Sequence, residues 1–253
     1  MSADTEIKYR YALQQGDNSL ILAQRLCEWC GHGPVLEQDI ALSNIALDLL
    51  GQARLWLSYA AELEGRNRTE DDLAFLRDER EFRNVLLVEQ PNGHWGATII
   101  RQFLYDTYSF YWYQGLRESA DERMAAIAEK AIKETTYHLR FSSEWTIRLG
   151  DGTDESRRKM QEALDMLWPY SGELCAPSET DQAAFKLGIA PDLQAVKEKW
   201  GQKVREIFEE ATLSIPENAY MHVGGKEGLH TEHLGHILPE MQFLQRAYPG
   251  AKW

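Results

Sequence analysis

His138 and Asp106 are the residues whose types and settings first suggest chemistry. His138 lies in a stretch whose inward residues (Met124, Ala128, Ala131, Thr135, His138, Ser142, Trp145, Leu149) recur in alternating steps of three and four, the pattern of one helix face. Asp106 is an acid set among the aromatic residues of 103–113, and Glu28 closes an earlier apolar-patterned stretch. Two acids and an imidazole on helix faces are the raw material of a metal site. The most demanding version is a pair of irons that activates dioxygen inside four helices. It takes a lone carboxylate from each of two helices and a Glu-x-x-His pair from each of the other two. Three residues turn a helix through about 300° and advance it about 4.5 Å, so both members of such a pair face one ion.

The set is incomplete. Thr135 stands three residues before His138, where the pair needs Glu. Glu134, one residue earlier, is rotated away from that place by about 100°. On the second helix, the stretch Asp48-Leu49-Leu50-Gly51-Gln52-Ala53 offers Leu49 and Gln52 where Glu and His belong. Leu cannot bind a metal, and Gln and Thr are poor ligands for iron. Glu28, Asp106 and His138 are therefore read as a buried polar cluster, with His138 linking the two acids. Asn44, Asp48 and Gln52 recur every four residues and extend it, and Arg54 is a further partner. No catalytic, cofactor-binding or metal-binding residue is assigned, and Glu28, Leu49, Gln52, Asp106, Thr135 and His138 mark the positions of a vestigial site.

Other candidates carry less. Cys27-Glu28-Trp29-Cys30 has the spacing of a redox pair or half a zinc site, but such pairs open a helix after a strand and this one ends a helix. Core packing is the expectation for both thiols. His230, Glu232, His233 and His236 have the composition of a metal cluster, yet they follow a glycine loop far from the other candidates, and capping or interface contacts are expected of them. Lys226 within Gly224-Gly225-Lys226-Glu227-Gly228 lacks the pattern of a phosphate-binding loop.

The elements that must position these residues are helical. Asp17 and Asn18 are read as caps of a first helix carrying Leu20, Ile21, Leu22, Leu26 and Trp29, ended by Gly31 and Pro34. A second helix spans about 37–64 and is apolar all round, which predicts a central, buried position. Residues 65–96 read as a crossover with a short helix capped near Thr69 and a turn at Pro91-Asn92-Gly93. A third helix covers about 96–118 and a fourth about 121–149. Further helices are expected at 154–173, at 191–213 with Pro191 in the first turn, and at 232–246 with Pro239 inside. No alternating strand pattern occurs. Two hairpins joined by a long crossover predict an all-α, ferritin-like four-helix bundle with additional C-terminal helices. The expectation is a single domain over 1–253, with the bundle at about 17–150 and a helical extension at about 151–253. Tyr108, Tyr111 and Trp112 spread round the third helix, so some of them are expected to meet another chain.

Composition narrows the partners. The 253 residues carry a formal net charge of −13, which disfavours nucleic acid and anionic membranes. No secretory leader or long apolar run is present, and three cysteines make no disulfide framework, so a cytoplasmic protein is expected.

Four segments make a resemblance specific: DIALSNIALDLLGQARLWLSYAAELEG, RDEREFRNVLLVEQPNG, KAIKETTYHLRF and GGKEGLHTEHLG. They resemble the C-subunit family of phenylacetyl-CoA 1,2-epoxidase, a ring-epoxidising oxygenase, along nearly the whole chain. The catalytic A subunits of that oxygenase are more remotely similar. They read Asp-Glu-Ala-Gly-His where this chain has Asp48-Leu49-Leu50-Gly51-Gln52, and Lys-Glu-Glu-Ser-Phe-His where it has Lys133 to His138. On that comparison Asp106, His138 and Glu28 match ligand positions, while Leu49, Gln52 and Thr135 depart from them. The resemblance implies a non-catalytic structural subunit without a cofactor of its own. Its partners would be the di-iron A subunit, further subunits, and a reductase drawing electrons from NADPH. The alternatives are a di-iron oxygenase in its own right and an independent ferritin-like binding protein.

Overall fold

Ser2, not Asp17, starts the first helix. In this computed structural model, which describes residues 1–251, α1 runs over Ala3–Cys27 and the Ser2 side chain accepts the Thr5 backbone N–H. Asp17 and Asn18 are good capping types, yet both are buried in the middle of α1 because distant groups satisfy them. The Arg77 guanidinium grips both Asp17 oxygens, with Nη1 donating to Oδ2 at 3.0 Å and Nη2 to Oδ1. The Arg83 backbone N–H donates to Asp17 Oδ2 at 2.9 Å, and that of Val85 to Asn18 Oδ1 at 2.8 Å. Tertiary partners thus override a local helix-start signal.

The other elements follow the sequence closely. Helix α2 spans Leu36–Glu64 and stops at Gly65, whose φ of 67° suits a left-handed cap that a side chain would strain. Helix α3 (Glu70–Phe75) opens on a capping box between Thr69 and Asp72. Helices α4 (Leu86–Glu89), α5 (Trp95–Leu116) and α6 (Glu122–Gly150) come next. Then come α7 (Asp154–Leu167), α8 (Gly172–Cys175), α9 (Glu179–Lys186), α10 (Leu193–Glu210) and α11 (Glu232–Ala247). The helix expected over 154–173 is interrupted at Trp168-Pro169-Tyr170, a 3-10 turn, because proline cannot donate to a continuing ladder. Pro191 precedes α10 instead of opening it, since Asp192 takes the cap and accepts the Gln194 N–H. Helix α9 was not expected. No strand occurs among the described residues.

The chain forms two compact units. The first contains Met1–Pro91, Ser178–Ala184 and the segment from Gly224 onward. In it α1 and α2 pack as a hairpin, and α11 lies against α1, α3 and α4. Gln242 Nε2 fastens α11 by donating to the carbonyls of Ala74 (3.2 Å) and Arg77 (3.0 Å). The second unit contains Asn92–Pro177 and Phe185–Val223. There α5 and α6 form a hairpin that α7 and α10 cover. Phe103 meets Phe208 edge-on at 5.3 Å, and the Trp200 indole donates to the Leu104 carbonyl at 3.0 Å. Gly150 is required where α6 passes Ala211, since a Cβ there would lie 2.2 Å from the Ala211 carbonyl oxygen.

Two expectations about burial are corrected. Helix α2 is not buried all round, since Leu36, Ile40 and Leu47 are 71%, 50% and 64% exposed on one stripe. The aromatic helix α5 is the buried one, with Tyr108 and Trp112 in the core and only Phe110 and Tyr111 partly uncovered in its ring cluster. Tyr108 and Trp112 therefore belong to the core, and of the three rings Tyr111 alone is partly uncovered. Three neighbouring helices cover α5, so rings spread round its axis still face protein.

Candidate functional site

In the second unit, α5 and α6 bring together Gln102, Asp106, Thr135, His138 and Ser142, all buried. Gln102 and Asp106 lie four apart on α5, and Thr135, His138 and Ser142 follow at steps of three and four on α6, so each set shares one face. Gln102 Nε2 donates to Asp106 Oδ1 at 2.7 Å, and Ser142 Oγ donates to Asp106 Oδ2 at 2.8 Å. Burial pushes the Asp106 carboxyl up to about 6, against the lowering effects of His138 and the Ser142 and Gln102 hydrogen bonds. The Thr135 hydroxyl turns back on its own helix, donating to the Ala131 carbonyl at 3.1 Å. The stripe on α6 also drifts from the expected line: Trp145 and Leu149 are only partly covered, and Thr146 and Gly150 are buried instead.

In the first unit, Leu49 and Gln52 are buried on α2, as expected, and Ser19 is buried on α1 with its hydroxyl on the Gln15 carbonyl at 3.1 Å. Glu28 departs from expectation. It caps the end of α1 with its side chain 41% exposed, and it accepts from Arg25 Nη1 at 2.8 Å. It is not a buried acid, because α1 stops at Cys27 instead of running on to Gly31, which leaves Glu28 as the exposed cap of the helix. The extension of the expected polar cluster fails likewise. Asn44 is exposed, Asp48 is half-buried, and Arg54 is exposed and paired with Glu70.

The residues at the six positions do not fit a di-iron pair. Leu49 has no donor atom, Thr135 spends its hydroxyl on its own backbone, and both oxygens of Asp106 already accept protein hydrogen bonds. Within neither unit do three or more His, Cys, Asp or Glu side chains converge as a metal-holding group among the described residues.

Two buried polar networks in the first unit escape sequence reasoning. Glu89 is fully buried and accepts from Asn84 Nδ2 (2.9 Å), the Thr231 N–H (2.6 Å), the Thr231 hydroxyl (2.7 Å) and His230 Nδ1 (2.9 Å). His230 Nε2 faces the Phe82 carbonyl at 3.0 Å, so both ring nitrogens meet acceptors and the cationic form satisfies both. Burial pulls this imidazole down, but the Glu89 hydrogen bond and charge, with help from Phe82 and Asp17, outweigh it and hold His230 above its usual range. His230 is thus a structural ion-pair partner, while Glu232 and His236 are exposed and His233 is half-covered. The second network holds Lys226, which is buried against Asp181 at 2.9 Å, with Gln14 Nε2 on the other Asp181 oxygen at 3.1 Å. The histidine-rich composition of 230–236 was visible in sequence. The remote partner Glu89 was not, since no local spacing joins residues so far apart.

Residues 1–253 match a family model described as "Phenylacetic acid catabolic protein". The C subunit of 1,2-phenylacetyl-CoA epoxidase from Escherichia coli (strain K12) is 54% identical over 243 residues, covering 96% of this chain and 98% of that protein.

Proposed function

Because the chain belongs to the family of phenylacetic acid catabolic proteins, we propose that it is the structural, non-catalytic subunit of a phenylacetyl-CoA epoxidase complex. In this reading it pairs with the di-iron catalytic subunit and stabilises it, within a cytoplasmic hetero-oligomer that also includes a reductase. Each unit is built on one long helical hairpin, α1/α2 in the first and α5/α6 in the second, which supports a ferritin-like reading of the chain. The observation that carries the reading is the setting of Asp106, a buried carboxylate whose two oxygens accept from Gln102 and Ser142. Leu49, Gln52 and Thr135 support the same conclusion from the other positions. The exposed apolar stripe Leu36, Ile40 and Leu47 on α2 is the surface this reading gives to the catalytic subunit. No helix among the described residues is long and apolar enough to cross a membrane, in keeping with a soluble assembly.

The reading is tested by co-expression with the catalytic subunit, followed by size-exclusion chromatography and epoxidation of phenylacetyl-CoA with NADPH and reductase. The two chains are expected to co-elute, and the catalytic subunit to lose solubility or activity when expressed alone. Iron in the aerobically purified chain is expected at background by elemental analysis, and two irons per chain would overturn the proposal.

A further inference from the structure

Cys27 and Cys30 leave the core that sequence reasoning gave them. Both are exposed free thiols, whereas the third cysteine, Cys175, is buried. They bracket a single turn at the end of α1: the Cys30 N–H donates to the Cys27 carbonyl at 3.0 Å, and Glu28 between them has φ −60° and ψ −20°. A turn closed by that bond brings its first and fourth Cα atoms within about 7 Å. A disulfide bridges Cα atoms up to about 6.8 Å apart. We propose that Cys27 and Cys30 form a surface dithiol that a hydroperoxide oxidises to an intramolecular disulfide, a redox modification site independent of the chain's place in an oxygenase.

The chemistry closes without any further reagent. One sulfur, as thiolate, attacks the outer peroxide oxygen; the O–O bond breaks, the alkoxide or hydroxide leaves, and the sulfur becomes a sulfenic acid. The second thiolate attacks that sulfur, the S–O bond breaks, and hydroxide departs as the S–S bond forms. Two thiols lose two electrons and two protons, and the hydroperoxide becomes an alcohol, or water, plus one water. Desolvation of its sulfur, then Cys30 and Glu28, raise the Cys27 thiol above its ordinary value. Attack by the Cys27 sulfur therefore accelerates as the solution becomes alkaline. Cys30 is followed by Gly31 at φ 79°, so the chain changes direction just after the pair and the disulfide would staple the turn that follows α1.

Hydrogen peroxide is the probe, applied to the full-length chain and read by intact mass and by thiol alkylation under non-reducing conditions. The expected product is a monomer lighter by two hydrogens. Cys27 and Cys30 are blocked together, Cys175 remains alkylatable after unfolding, and dithiothreitol restores both thiols. Cys27→Ser and Cys30→Ser should each abolish the hydrogen-loss species and leave a sulfenic acid on the remaining cysteine that dimedone traps. Stable sulfinic acid on the wild-type pair, disulfide-linked dimers as the main product, preferential oxidation of Cys175, or no reaction would each overturn the proposal.

Discussion

Asp106 and His138 show what a buried charge costs and what keeps it tolerable. The Asp106 carboxyl titrates at about 6 in place of 3.8, so between those values the folded protein holds a proton that the unfolded chain has lost. Stability from this group therefore falls as pH rises from about 4 to about 6. His138→Ala removes the charge that lowers Asp106. It is expected to lift that midpoint further and to destabilise the chain by about 3 kcal/mol, measured by urea unfolding and by the carboxyl's NMR titration. Unchanged stability with turnover lost in the assembled complex would speak for a catalytic His138. His230 has the same slope but in a higher window, and it contributes stability where Asp106 withdraws it. Its folded value is raised, so its contribution is fully present below about 6.5 and is lost as pH climbs through the folded value. His230→Asn should flatten the alkaline side of the stability profile while leaving the acid side's slope intact. At this scale the sequence was informative where helical periodicity applied. Thr135, His138 and Asp106 fell where the pattern put them, and Gln102 could have been found four residues before Asp106. Glu28 failed because α1 stops at Cys27, before the Gly31 and Pro34 that were read as its end, and the capping types Asp17 and Asn18 likewise misplaced its start.

Helices α2 and α5 exchanged the roles that their compositions suggested. An all-apolar helix reads as central, but apolar content does not say how many neighbours arrive, and α2 keeps Leu36, Ile40 and Leu47 uncovered. Helix α5 is clad by α6, α7 and α10, two of which lie beyond the bundle region marked out from sequence. Matched substitutions test the difference. Trp112→Ala should cost about 3–5 kcal/mol in thermal or chemical unfolding, as for a large buried ring. Leu47→Lys should change the isolated chain's stability by no more than about 0.5 kcal/mol. It should weaken co-elution with the catalytic subunit; co-elution unaffected by Leu47→Lys combined with Ile40→Lys would remove α2 from the interface. Helix boundaries were legible to within a few residues wherever caps were local, as at Thr69, Asp121 and Thr153. Helix α9, being short, lacked enough periods to show.

At the level of the whole chain, the C-terminal third is divided between the two units, and the glycine-rich stretch 224–228 marks the last of the crossings. The segment from Gly224 onward supplies Lys226 to Asp181, His230 and Thr231 to Glu89, and Gln242 to the end of α3. A chain ending at Val223 leaves Asp181 and Glu89 buried with fewer partners. It is expected to be cut by protease first within α1–α4, while α5–α7 stay protected; equal protection of both regions would refute the dependence. Four-helix patterning made the two hairpins readable, whereas these long-range closures rest on single polar pairs that no window of sequence contains.

The same discontinuity sets a timetable for synthesis. Residues 1–91 leave the ribosome before the second unit, yet the segment from Gly224 that completes their unit is translated after it. At roughly 5–20 residues per second the intervening chain takes on the order of ten seconds or more to make. Throughout that interval Glu89 lacks His230 and Thr231. The nascent N-terminal hairpin is thus exposed to chaperones and proteases until the segment from Gly224 emerges, and a message interrupted before that segment disables the part of the protein that was made earlier.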